Sequence, residues 1–60
     1  MPFEAILREV EQLRKVGTRL EELADQHPPV SAALIAIAGT VRNAATLLDV
    51  LVATKGPKPF

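Results

Sequence analysis

The stretch DQHPPVSAAL, residues 25–34, places two adjacent prolines near the middle of a 60-residue chain. Each proline lacks a backbone N–H and disfavours the helical conformation in the residue before it. His27 and Pro28 are therefore poor helix residues. A new helix can begin with Pro29 as its first residue or with Ser31 as its N-cap. The sequence predicts a Pro-Pro turn at 27–30, and a connection this short makes the two flanking helices antiparallel neighbours.

The segment before the prolines predicts an amphipathic helix over about residues 2–26. Pro2 and Glu4 suit its first turn, where a missing N–H costs nothing and the helix dipole favours an acid. Apolar or small residues then alternate at spacings of three and four, the a/d pattern of three heptads, which favours a left-handed supercoil with a neighbouring helix. The residues of this pattern are Phe3, Ile6, Val10, Leu13, Gly17, Leu20 and Ala24.

The segment after the prolines predicts a second helix over about residues 29–55. Lys55 favours the negative end of the helix dipole, Gly56 can adopt the left-handed conformation after the last turn, and Pro57 prevents continuation. We expect residues 56–60 to form an extended tail.

The second helix is apolar around more than half of its circumference. One broad face carries Val30, Leu34, Ile37, Val41, Ala44, Leu48, Leu51 and Val52, with Leu47 at one edge and Ala38 and Ala45 at the other. A helix of this kind is normally buried by more than one neighbour. Because the first helix cannot cover this face alone, we expect a second copy of the chain to cover it.

Size and composition lead to the same expectation. A chain of 60 residues forms at most one domain, 1–60, of marginal stability, and small domains usually need disulfides, a metal or oligomerisation. The chain has no cysteine and a single histidine, so oligomerisation remains. The predicted fold is all-α: an antiparallel two-helix hairpin that self-associates into a four-helix bundle. A homodimer is favoured, and a tetramer is left open.

Thirteen residues are predicted to form the oligomer interface or core: Phe3, Ile6, Val10, Leu13, Gly17, Leu20, Leu34, Ile37, Gly39, Val41, Leu48, Leu51 and Val52. Gly17 and Gly39 each lie eleven residues from Pro28. One hypothesis is therefore a close crossing of the helices at these glycines. Small residues on the second helix also suit its packing against the second helix of a partner: Ala32, Ala36, Gly39 and Asn43.

The sequence contains no pattern typical of a catalytic, cofactor-binding or metal site. We therefore expect no enzyme and no cofactor, but an interaction or assembly protein whose partner is itself. A larger protein that docks on the second helix is an alternative partner.

In size and outline, a 60-residue chain with two helical halves about a Pro28–Pro29 corner resembles the small plasmid RNA-binding proteins of the Rop type, which are dimers of helical hairpins. This resemblance is one of architecture, without a shared motif, and it implies a nucleic-acid-binding regulator as the alternative function. Seven basic and seven acidic residues cancel, which argues against nucleic acid as a partner.

The longest apolar run, residues 30–41, is shorter than the about 20 residues that a membrane-spanning helix needs. The N-terminal segment is acidic and amphipathic, unlike a secretory signal. We therefore expect no membrane partner and a cytoplasmic location.

Overall fold

The computed structural model describes residues 3–55, which form two α-helices joined by a tight corner. Helix α1 spans Phe3–Gln26, a 3-10 turn spans Pro28–Val30, and helix α2 spans Ser31–Lys55. Residues 3–55 contain no strand, and the predicted all-helical, two-helix architecture is confirmed to that extent. The predictions made for Pro2 and for the tail 56–60 lie outside the described residues.

The corner is built from backbone hydrogen bonds. The N–H of His27 donates to the carbonyl oxygen of Leu23 at 2.9 Å and closes the last turn of α1. His27 then leaves the helical region, with φ −130° and ψ 74°, and its side chain makes no capping hydrogen bond. The N–H of Val30 donates to the carbonyl oxygen of His27 at 3.0 Å, which forms the 3-10 turn.

Of the two starts predicted for the second helix, the N-cap at Ser31 is wrong. Ser31 is itself helical, with φ −56° and ψ −50°, and its N–H donates to the carbonyl oxygen of Pro28. An N-cap residue has a non-helical backbone, so Ser31 is not one. The first turn of α2 is organised by the two prolines and the 3-10 turn that they form.

The two helices pack side by side in antiparallel register. Two ion pairs cross between them, Arg14 to Asp49 and Glu21 to Arg42, and the residue numbers of each pair sum to 63. Residue n of α1 therefore lies level with residue 63 − n of α2. We label heptad positions a to g in both helices, starting with a at Phe3 in α1 and at Ser31 in α2.

The seam between the helices runs along the a positions, which are small or modest in size. Val10, Gly17 and Ala24 are the buried residues of α1, and Ala38 and Ala45 are those of α2. Both α2 alanines are completely buried, at 0% exposure. Small side chains at these positions let the two backbones approach closely, so the core of the hairpin is narrow.

The larger d residues are only half-buried because the seam is rotated toward the a positions. This class comprises Ile6, Leu13, Leu20, Leu34, Val41 and Leu48. The rotation also explains why the most buried residues of α2 differ from those at the centre of its apolar face. Ala38 and Ala45, placed by the sequence at an edge of that face, contact α1 instead.

The predicted close crossing of Gly17 and Gly39 is wrong. A Cβ atom built on Gly17 would lie 3.0 Å from Nε and 3.1 Å from Cγ of Arg42, so the arginine stem covers this glycine. A Cβ atom built on Gly39 would meet nothing within 4 Å. Gly39 occupies a b position that turns away from α1, and equal distance from the corner did not bring the two glycines together.

The two glycines predict different responses to alanine. Gly39→Ala should raise the free energy of unfolding by about 0.5–1 kcal/mol, because alanine has the higher helix propensity and the site is open. Gly17→Ala should gain less, because the stem of Arg42 must move. Thermal unfolding followed by circular dichroism measures both, and a destabilised Gly39→Ala protein would place Gly39 against a neighbouring helix.

Candidate functional site

One side of the hairpin is a continuous apolar surface, which we call the open face. It combines the six half-buried d residues with the apolar g residues beside them: Val16, Leu23, Val30, Ile37, Ala44 and Leu51. The apolar g residues other than Ala44 are 39% to 51% exposed, with Ile37 the most exposed of them. Isolated apolar residues on a surface are ordinary, whereas a contiguous apolar face marks an interaction site.

The opposite side of the seam carries the charged e residues, which we call the polar edge: Arg14, Glu21, Arg42 and Asp49. Arg14 Nη2 lies 2.9 Å from Asp49 Oδ2, and Arg42 Nη2 lies 2.7 Å from Glu21 Oε1. Their side chains are about half exposed. Each pair joins α1 to α2, so this edge is closed by the hairpin's own residues and the open face is not.

Arg42 is the most constrained residue of the polar edge. Its stem lies across Gly17, and its guanidinium donates to Glu21 and, at 3.4 Å, to the hydroxyl of Thr18. A side chain at position 17 would occupy the space that the stem uses. Gly17 therefore lets an arginine of α2 lie flat on α1 and reach its acid.

Two shallow depressions lie along this edge, of about 370 and 390 Å³. The first is lined by Arg14, Lys15, Thr18, Arg19 and Glu22, and the second by Arg14, Thr18, Arg42 and Thr46. Arg14 and Arg42, the arginines of the second depression, already pair with acids. Within residues 3–55, no group of three or more His, Cys, Asp or Glu side chains is placed to hold a metal ion.

Helix α2 is also notable for its exposure. By length and composition alone, the segment Pro28–Lys55 is apolar enough to cross a membrane, and only 11% of its apolar window is buried inside the hairpin. The helix of a soluble protein can pass the same test. Most of the apolar surface of α2 is therefore not covered by α1 within the single chain.

The structure separates the thirteen predicted interface or core residues into two groups. Ten are buried or half-buried along the a and d positions: Phe3, Ile6, Val10, Leu13, Gly17, Leu20, Leu34, Val41, Leu48 and Val52. The other three, Ile37, Gly39 and Leu51, are exposed. Ile37 and Leu51 belong to the open face, whereas Gly39 does not.

Sequence reasoning missed the intramolecular seam of α2, although the signal was present. The three-four alternation of α1 is repeated in α2 by these residues: Ser31, Leu34, Ala38, Val41, Ala45, Leu48 and Val52. Ala38 and Ala45 are weak hydrophobic signals because their side chains are small. The ion-pair partners were missed for a different reason: they are 35 and 21 residues apart in sequence.

Comparison with known proteins leaves the site to be interpreted from its own residues. No protein-family model matches the chain, and no curated protein or solved structure matches it significantly.

The polar edge predicts a small, salt-sensitive coupling between the helices. In a double-mutant cycle of Arg42→Ala and Glu21→Ala, the coupling free energy should be below about 1 kcal/mol, because both side chains are half exposed. It should fall further as salt is raised. Chemical denaturation of the four proteins measures it.

Arg8→Ala serves as the control for this cycle, since Arg8 is an exposed f residue of α1. Its stability should match that of the parent. A coupling of several kcal/mol that resists salt would show that the pair is buried in the functional assembly.

Proposed function

We propose that the protein is a non-enzymatic assembly protein: a helical hairpin whose open face binds a second copy to form a four-helix bundle. The observation that carries this proposal is the asymmetry of the hairpin. Its polar edge is closed by cross-helix ion pairs, and its open face leaves large aliphatic side chains in water.

The sizes of the side chains support a four-helix core. Small residues at a bring the two helices of one hairpin close together, and the larger d residues lie beside the seam on the open face. Close packing of helices alternates large and small residues across facing layers. Two open faces placed together put the d side chains of both copies at the centre of such a core.

The burial within one chain supports the same conclusion. Among residues 3–55, the buried hydrophobic residues are Val10, Ala24, Ala38 and Ala45, and the three alanines contribute little more than a methyl group each. Fully burying a leucine or isoleucine contributes about 1.5–3 kcal/mol, and the open face offers many that are unburied. Covering that face provides stability that the narrow seam does not.

We place the assembly in water and propose a cytoplasmic location. Arg42 and Asp49 lie well inside α2 and pair with α1, so inserting α2 into a bilayer would break these pairs or bury charges at about 2.5–3.5 kcal/mol each. A larger protein docked on α2 is the alternative occupant if the hairpin proves to be monomeric.

Nucleic acid is not part of the proposal. Phosphate binding relies on available basic side chains, and two of the six basic residues in the described range, Arg14 and Arg42, already pair with acids across the seam. The neutral composition favours the protein partner over this alternative.

The proposal predicts that Ile37→Asp prevents assembly. Ile37 is 51% exposed in the single hairpin, so the change costs the hairpin itself little, but it places two charges in the apolar interface of a dimer. The dissociation constant should rise at least about 100-fold, as measured by sedimentation equilibrium.

Val50→Asp is the matched control. Val50 lies on the same helix and is 52% exposed, but it occupies an f position on the back of α2. This variant should assemble like the parent. Equal effects of the two substitutions, or a parent that is monomeric at high concentration, would contradict the proposal.

A further inference from the structure

The residues of the open face and of the helix flanks beside it favour one arrangement of two hairpins over another. The inference about that arrangement rests on the proposed function. Two hairpins can pair with their corners at the same end or at opposite ends. With corners at the same end, the g flank of α2 meets α1 of the second copy. With corners at opposite ends, α2 meets α2 and α1 meets α1. All neighbouring helices are antiparallel in both arrangements.

The charges of the two flanks differ. The outer flank of α2 consists of its g residues and the adjoining c residues: Val30, Ile37, Ala44, Leu51, Ala33, Thr40, Leu47 and Thr54. None of these is charged. The corresponding flank of α1 carries Glu9 and Arg19 at its g and c positions, together with glutamines at 12 and 26. Burying charges beside an apolar surface costs free energy unless they are paired.

The charge difference favours α2 against α2. In that arrangement the uncharged flank of α2 is covered by another uncharged flank, so no charge is buried against it. The α1 flanks meet each other, with Arg19 of the two copies level at the two-fold axis. With corners at the same end, Glu9 and Arg19 would each lie against the uncharged flank of α2.

The sizes of the g residues of α2 fit a two-fold axis. Ile37, Ala44 and Leu51 form a large–small–large series at seven-residue spacing. In an antiparallel α2 pair centred on Ala44, each Ala44 meets its copy, and Ile37 of one chain meets Leu51 of the other. A small residue at the crossing point allows the helices to approach there, and the large residues fill the space on either side.

We infer that the two hairpins pack with their corners at opposite ends and that α2 crosses α2 of the second copy at Ala44. The small residues Ala32, Ala36, Gly39 and Asn43 lie at b and f positions on the back of α2. They are outside this crossing, so the α2 contact uses the g flank instead of the strip that the sequence suggested.

Single cysteines test this arrangement, because the natural chain contains none. Ala44→Cys should form an intermolecular disulfide on mild oxidation, since residues on the two-fold axis fall within the about 4.4–6.8 Å between Cα atoms that a disulfide requires. Asn43→Cys is the matched control. It adjoins Ala44 but faces away from the partner, and it should remain a thiol under the same conditions.

A second measurement does not depend on a substitution in the interface. A spin label on Glu4→Cys, an exposed position near the start of α1, should give a distance between copies of about 45 Å with corners at opposite ends. With corners at the same end the distance should be under about 30 Å.

The outcomes distinguish the two proposals. A dimer with the disulfide at 44 and the long distance supports the arrangement. A dimer with the short distance and no disulfide at 44 overturns the arrangement and leaves the proposed function standing. A monomer overturns both.

Discussion

The structure depends on the close approach of two helices along residues with small side chains. Gly17, Ala24, Ala38 and Ala45 are buried between α1 and α2, where larger residues would hold the backbones apart. The approach also brings the stem of Arg42 onto α1 and within 2.7 Å of Glu21. The same small residues limit how much apolar surface the seam can bury. The narrow geometry of the seam and the large apolar surface left exposed therefore have one cause.

The remaining features follow from the rotation of the seam toward the a positions. The charged e residues of both helices meet at one edge and form ion pairs, with Leu7 and Ile35 at the remaining described e positions, whereas the d and g residues are left together on the other side. Exposed ion pairs contribute little to stability, but unlike charges placed opposite each other select one register. The hairpin thus has an edge that fixes how its helices align and an apolar face that we propose as the surface for association.

Much of this fold was predictable from the sequence because the strongest signals are local. The proline pair sets the corner, and the three-four alternation of α1 sets its buried side, from Phe3 to Ala24. The sequence also indicated that α2 exposes too much apolar surface for one neighbour. The start of α2 was less predictable, because the sequence allowed either Pro29 as the first helical residue or a side-chain cap at Ser31, and a 3-10 turn of Pro28–Val30 leads into the helix instead of the cap.

The seam of α2 and the polar edge depend on rotation and register, which local patterns do not determine. Ala38 and Ala45 are less hydrophobic than Ile37 and Leu51, yet the alanines are buried because the helices approach most closely where side chains are small. The pairing of Arg42 with Glu21 could be recognised only once the register of the two helices in the folded hairpin was known. For Gly39 the sequence predicted a contact that the structure does not have. Gly17 and Gly39 are equally far from the corner, but the rotation of α2 turns Gly39 away from α1.

The central claim is that one narrow seam is not a complete fold and that the open face is covered by a second copy. The most direct test is absolute mass by sedimentation equilibrium across a dilution series, with helicity measured by circular dichroism on the same samples. Interference optics are needed because the chain has no Trp or Tyr. The account predicts a species of twice the 6.5 kDa chain mass that loses helicity as it dissociates. A species of the single chain mass that keeps full helicity at every concentration would contradict it.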